Sequence, residues 1–195
     1  MFTLLEISLF IICIILFITT FLISSIKTRI QIKNHQDIVE IYRILNKIVS
    51  NTAASRAIIL SATDITKLPV LSTVIYENYE KLNRPVKNRW KSQQLDHSYI
   101  SELVRLKKNG EIFIYTDLMD KGILKTLYKK EGIVSSRLSV LFYKKKKVFF
   151  FFNYFKFYYL SVNRSIEEPW TNGEMDEIRV ASNSLRLIFK TNPNI

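Results

Sequence analysis

The residues able to do chemistry are few in this chain, and their spacing gives them little to work with. Its two histidines, His35 and His97, are far apart, and neither stands in an HExxH or Cys/His spacing that would hold a metal. Both read as solvated or capping residues. The single cysteine, Cys13, lies inside an apolar run, so one chain can form no disulfide framework and no cysteine-bearing metal cluster. This fits a reducing compartment, and the sequence after residue 13 has no thiolate chemistry. Asp117 and Asp120 are spaced as paired carboxylates can be, but they sit between a strand and a helix, where aspartate commonly caps the helix. Asp37 with Glu40, and Glu167 with Glu168, fit solvated faces or helix entries. Ser61 and Ser139 have no identifiable His and Asp partners. Four glycines in 195 residues leave no room for a phosphate-cradling loop. The expectation is a non-enzymatic protein with no cofactor and no metal.

The elements that would position such residues begin with an uncharged run from Ile7 to Ile26, closed by Lys27, Arg29 and Lys33. At about 1.5 Å per residue it is long enough to cross the roughly 30 Å of bilayer hydrocarbon as a helix. A cleaved signal peptide would carry a basic start and a small-residue cleavage site, and neither is clear here. Residues 1–33 are therefore read as a transmembrane anchor with its basic juxtamembrane segment. Positive charge after the run and Glu6 before it place the N-terminus outside and the rest in the cytoplasm, at an inner or plasma membrane. Residues 34–195 suffice for one compact domain.

The chain holds 29 Lys+Arg against 17 Asp+Glu, a net charge of +12. Part of the excess is juxtamembrane and part is the run Lys144, Lys145, Lys146 and Lys147. Near an anionic leaflet these residues and Lys27, Arg29 and Lys33 would meet lipid headgroups, each contributing on the order of 1 kcal/mol. Nucleic acid is a weaker partner, because the lysines are expected in a hairpin turn without aromatic stacking positions on an exposed face. AT-rich coding DNA would enrich Ile, Lys, Asn, Phe and Tyr by itself.

Apolar spacing of three and four predicts an amphipathic helix over residues 36–51, carrying Ile38, Ile41, Leu45 and Ile48. Strands are expected over 56–61 and 71–77, a loop or short helix over 83–94, and a helix over 98–108 stopped by Asn109-Gly110. A strand over 111–116 and a helix over 122–131 follow, the latter stopped by Gly132. Residues 135–143 and 148–155 read as a hairpin whose turn is the four lysines, with the phenylalanine run in the middle of a sheet. A further strand is expected over 157–162. Thr171 and Glu174 form a capping box for a last helix reaching Phe189. The class is α+β, a mostly antiparallel sheet with packed helices, preceded by one transmembrane helix.

The order and spacing of several segments resemble a GAF-like domain over about residues 36–189. They are Ile114-Tyr-Thr-Asp117, Leu127-Tyr-Lys-Lys-Glu-Gly-Ile-Val-Ser-Ser136, the runs 138–143 and 148–155, and Trp170-Thr-Asn-Gly-Glu174. The front half is similar to small phage-type GAF-like membrane proteins, in which an Arg-initiated strand precedes a His-Asn-Gly-Gly turn; here Arg56-Ala-Ile-Ile-Leu-Ser is followed by Ala62-Thr-Asp64 instead. The resemblance implies a sensor or regulatory role and a pocket between the sheet and the segments covering it. Tyr76, Trp90, Tyr115, Asp117 and Tyr128 would line it as aromatic walls and one polar anchor. The partners implied are a lipid membrane, a small-molecule ligand or a protein, and a second copy of the chain. Two other readings stand beside it: a lysis-associated membrane protein of the holin or antiholin kind, and a basic nucleic-acid-tethering protein.

Overall fold

A computed structural model describes residues 4–80, 83–119, 121–148 and 152–192. Helix α1 (Leu4–Asn51) comes first, and the chain's contacts divide it into two compact units between Val39 and Glu40. In the N-terminal unit Phe17, Phe21 and Ile23 are exposed, and the helix is long and apolar enough to cross a membrane. Thr19, Thr20 and Thr28 return their hydroxyls to backbone carbonyls three or four residues earlier, the arrangement that satisfies a hydroxyl in an apolar setting.

In the second unit the end of α1 buries Ile41, Leu45 and Ile48 of the stripe that the three-and-four spacing predicts, with Ile44 beside them, while Tyr42 of the same stripe stays 40% exposed. Then follow β1 (Arg56–Ala62), β2 (Leu71–Tyr79), β3 (Gln93–Gln94), α2 (His97–Asn109), β4 (Glu111–Tyr115), α3 (Ile123–Lys130), β5 (Ser135–Val148), β6 (Phe152–Arg164) and α4 (Asn172–Thr191). The strands form one sheet in the order β3-β2-β1-β6-β5-β4, and every neighbouring pair is antiparallel. β1 is buried along almost its whole length because helices cover both faces. On one face Ile58 and Leu60 join Tyr99, Leu103 and Leu106 of α2 and Leu124 and Tyr128 of α3 in one apolar cluster. On the other, Tyr42 of α1 meets Tyr76 edge-on with ring centroids 5.7 Å apart, and Tyr158 meets Phe189 of α4 at 4.9 Å. Ile178, Leu185 and Phe189 of α4 are fully buried. At roughly 25 cal/mol per Å² of apolar surface removed from water, a fully buried leucine or isoleucine contributes about 2 kcal/mol. The capping box is present, with Thr171 Oγ1 accepting from Glu174 N at 3.2 Å and Glu174 Oε2 accepting from Thr171 N at 2.8 Å.

Four expectations are corrected. The four lysines are not a turn: Lys144, Lys145, Lys146 and Lys147 continue β5, with backbone partners Lys156, Phe155, Tyr154 and Asn153 on β6. No glycine, proline or aspartate stands there to make a turn, so the ladder runs on to Val148; residues 149–151 lie outside those described. The segments 148–155 and 157–162 are largely one strand, β6. The phenylalanine run is not in mid-sheet either. β1 pairs with β6 only over residues 157–163, so Phe152 to Lys156 pair with β5 alone, while Phe149, Phe150 and Phe151 lie outside the described residues. Asp117 caps no helix. It sits exposed in a single 3-10 turn, Thr116–Leu118, and Asp120 is outside the described residues.

The start of α3 is capped from elsewhere. Asp96 Oδ1 accepts from Tyr99 N at 3.1 Å, capping α2, and Oδ2 accepts from Ile123 N at 2.7 Å, capping α3. Burial pushes its carboxyl up, but the hydrogen bonds from Ile123, Tyr99 and Ser98 prevail and hold it below the usual aspartate value. Gly122 allows this approach, since a Cβ there would stand 2.4 Å from Ser98 Oγ and 2.7 Å from Asp96 Oδ2.

Candidate functional site

Strand alternation decides which side chains face α2 and α3. On β1, Arg56, Ile58 and Leu60 share a face; Glu77 of β2 and Ser161 of β6 lie opposite Ile58, and Asn163 lies opposite Arg56. One further strand over, Ser136 of β5 pairs with Asn163. The sheet floor here is therefore polar at its β1 start and apolar towards Leu60.

Above this floor lies a small cavity of ≈ 20 Å³, lined by Arg56, Ile58, Trp90, Tyr99, Tyr128, Glu131 and their neighbours. That is space for about one water molecule. Its cover is residues 83–95 together with the end of α3. Glu77 holds the cover down: its carboxylate accepts from Val86 N at 2.8 Å and from Lys87 N at 3.0 Å. Arg56, 3% exposed, donates to Arg84 O at 2.7 Å, and its Nε lies 3.4 Å from Glu77 Oε1. Glu131 closes the side, 2.9 Å from Arg89 and 3.5 Å from Arg56. Two carboxylates and two guanidinium groups thus join β1, β2, the cover and the end of α3. Removing one partner of such a buried set would leave an uncompensated charge, at about 3–5 kcal/mol.

The inner wall is a hydroxyl network. Ser161 Oγ donates to Asn163 Oδ1 at 2.8 Å and Ser136 Oγ donates to the same oxygen. Burial pushes the Tyr128 phenol up, and hydrogen bonds with Ser136 and Ser161 partly offset this. The Tyr159 hydroxyl lies 3.1 Å from that of Ser72 and 3.2 Å from that of Tyr99, and burial pushes its phenol up to about 12. These groups are neutral across the physiological range and serve as hydrogen-bonding groups, without a base poised near neutrality.

Of the five residues expected to form a pocket, Trp90 and Tyr128 come together at this cavity. Tyr76 lies on the opposite sheet face against Tyr42, where burial pushes its phenol up to about 12. Tyr115 is exposed and lines an open groove of ≈ 170 Å³ with Phe113 and Leu118. Asp117 is exposed beside it in sequence. Arg56, Glu77, Glu131 and Asn163 were not anticipated. For Arg56, Glu77 and Asn163 the signal was a charged or amide residue inside a strand, which must find a partner once that strand is buried; Glu131, at the end of α3, carried none.

Two further buried arginines tie α4 to the sheet, away from the cavity. Arg137 donates to Glu111 Oε2 and to Met175 O, each at 2.7 Å. Arg164 pairs with Glu174 and stacks 3.9 Å from the Trp170 ring centre. Glu174 also accepts from Ala53 N at 2.9 Å, and although burial pushes its carboxyl up, these donors bring it down to about 2. Among the described residues no group of three or more acidic, histidine or cysteine side chains is placed to hold a metal ion.

This architecture defines the chain's class. A six-stranded antiparallel sheet with helices packed on it is a GAF-like fold. The chain is similar to the GAF domain region of a putative membrane protein from Geobacter sulfurreducens PCA, at 17% identity and a TM-score of 0.58 over 84% of this chain and 99% of that one. It is similar also to the GAF3 domain of Slr1393 from Synechocystis sp. PCC6803 in its photoproduct state, at 10% identity and a TM-score of 0.57 over 77% and 91%. A third likeness is to the GAF domain of a two-component sensor histidine kinase from Bacillus halodurans, at 12% identity and a TM-score of 0.52 over 76% and 92%. At these identities the likeness is one of fold. No protein-family profile matches the sequence, and no curated protein does.

Proposed function

We propose that this chain is a non-enzymatic, single-pass membrane protein whose GAF-like domain is a ligand-responsive regulatory module. Residues 1–33 are the anchor and residues 34–195 the domain. Lys27, Arg29 and Lys33 stand at the cytoplasmic headgroups, and the basic stretch Lys144 to Lys147 adds attraction to an anionic leaflet. The observation that carries the reading is the cavity between sheet and cover, held shut by Glu77, Arg56, Glu131 and Arg89. These ion pairs and backbone hydrogen bonds can exchange partners, while Val86, Trp90 and Leu95 of the cover pack into the apolar core.

Ligand pockets ordinarily enclose about 300–1,000 Å³, and this cavity is ≈ 20 Å³. As it stands the cavity has room for about one water molecule, and Trp90 and Tyr128 are the walls a ligand would part. Native mass spectrometry of the full chain, purified from cells in detergent micelles and compared before and after denaturation, tests this. Release of a small molecule supports the reading and gives the ligand's mass. Bare chain in both states moves the function to a protein partner.

A further inference from the structure

We propose that Arg56 and Arg89 form a binding site for the carboxylate of a small ligand, and that Glu131 fills this site in the present structure. The inference rests on reading the cavity as a ligand pocket and names the ligand's chemistry.

Three observations carry it. First, the Arg56 guanidinium is buried but poorly served. Its Nε has no hydrogen-bond partner, and both of its hydrogen bonds to Glu131 are 3.5 Å long. Glu77 is near but has its oxygens turned to Val86 N and Lys87 N. A buried guanidinium ordinarily holds a carboxylate by two parallel hydrogen bonds of about 2.8 Å; the short bond Arg56 makes goes to the backbone carbonyl of Arg84 at 2.7 Å, while its carboxylate neighbours stay at 3.4 and 3.5 Å. Second, a cavity lies beside this group, with Trp90 and Ile58 as apolar walls.

Third, Glu131 reaches the two arginines from the C-terminal end of a helix. It is the residue that ends α3, with its N–H bonded to Leu127 O, so its carboxylate lies at the helix end where unpaired carbonyls concentrate negative potential. Arg89, at 2.9 and 3.2 Å, retains it there. Arg89 is itself half exposed, so the pair can part by a side-chain movement into solvent. Beyond its Cβ the glutamate side chain is an acetate, and with Cβ included a propionate. A free propionate offers the same group to the same two arginines without the opposing helix end, and a larger carboxylate would extend towards Trp90.

The test uses the full chain in detergent micelles, with propionate as probe, propionamide as its neutral isostere, and chloride to match ionic strength. Thermal unfolding by circular dichroism across a titration gives an apparent affinity. In Glu131→Gln the resident carboxylate is gone, and propionate binds at least about tenfold more tightly than in the wild type, while propionamide binds neither. Adding Arg89→Gln to that variant weakens propionate by about tenfold. Equal stabilisation by propionate and propionamide overturns the carboxylate assignment and leaves the pocket reading standing. Stabilisation by neither overturns both. If Glu131→Gln does not fold alone, recovery of its folded signal by propionate and not by propionamide supports the assignment, and no recovery by either overturns it.

Discussion

Glu174→Gln is the sharpest perturbation of the electrostatics that fix α4 to the sheet. The native carboxylate accepts from Ala53 N, Thr171 N, Thr171 Oγ1 and Arg164, and its side chain is 13% exposed. Its pKa falls from 4.5 to about 2; at about 1.4 kcal/mol per pH unit this corresponds to about 3 kcal/mol of stability at neutral pH. The sign follows from the direction: the folded value is depressed, so the stabilisation is complete above pH 4.5 and is lost as pH falls towards 2. The glutamine keeps the shape and loses the charge, and it leaves Arg164, 1% exposed, without its carboxylate. Breaking a buried pair from one side costs about 3–5 kcal/mol, which agrees with the titration argument. Chemical denaturation followed by circular dichroism in micelles, repeated from pH 7 to pH 2, measures both quantities. The variant is expected to lose about 3 kcal/mol at pH 7 and to show a flatter loss than the wild type between pH 4.5 and 2. A loss below about 0.5 kcal/mol at pH 7, or identical acid profiles in the two proteins, would refute the reasoning.

Three other outcomes are expected. Gly122→Ala should cost about 1–3 kcal/mol, because its methyl meets Ser98 and Asp96, whereas Gly173→Ala, with open space around it, should be neutral or stabilising by up to about 1 kcal/mol; paired thermal melts check the contrast. Asp96→Ala removes the caps of two helices and should cost about 2 kcal/mol, read as a lower denaturation midpoint with an unchanged slope. Phe17→Arg together with Phe21→Arg should each oppose insertion by about 2.5–3.5 kcal/mol, so that the chain leaves the membrane fraction on alkaline extraction; retention there would count against the anchor.

How much was legible in the sequence depended on whether a local signal had a tertiary competitor. The strand from Arg56, the helix stopped at Gly110 and the capping box at Thr171 lie where spacing and cap chemistry place them. Gly110 and Gly132 both take positive φ, 79° and 65°, as helix-ending glycines do. The lysine run is strand and not turn, because charge alone does not make a turn. Backbone pairing does not require apolar side chains, and with no turn-forming residue available the ladder continued to Val148. The site was half legible. Trp90 and Tyr128 lie on segments whose placement follows from the fold order, but Tyr76 misses the cavity because adjacent strand residues face opposite ways, and it is Glu77 that faces in. The pairing of Arg56 with Glu131, 75 residues on, has no local signature at all.

The single carboxylate that starts both α2 and α3 has a mechanical meaning. Ile123 N is pinned to Asp96 at 2.7 Å while the far end of the helix carries Glu131. Eight residues at 1.5 Å each make α3 a lever about 12 Å long, with its fulcrum at Asp96. A swing of about 10° around that point carries the Glu131 end by about 2 Å, enough to break a contact of 2.9 Å with Arg89 while the fulcrum stays closed.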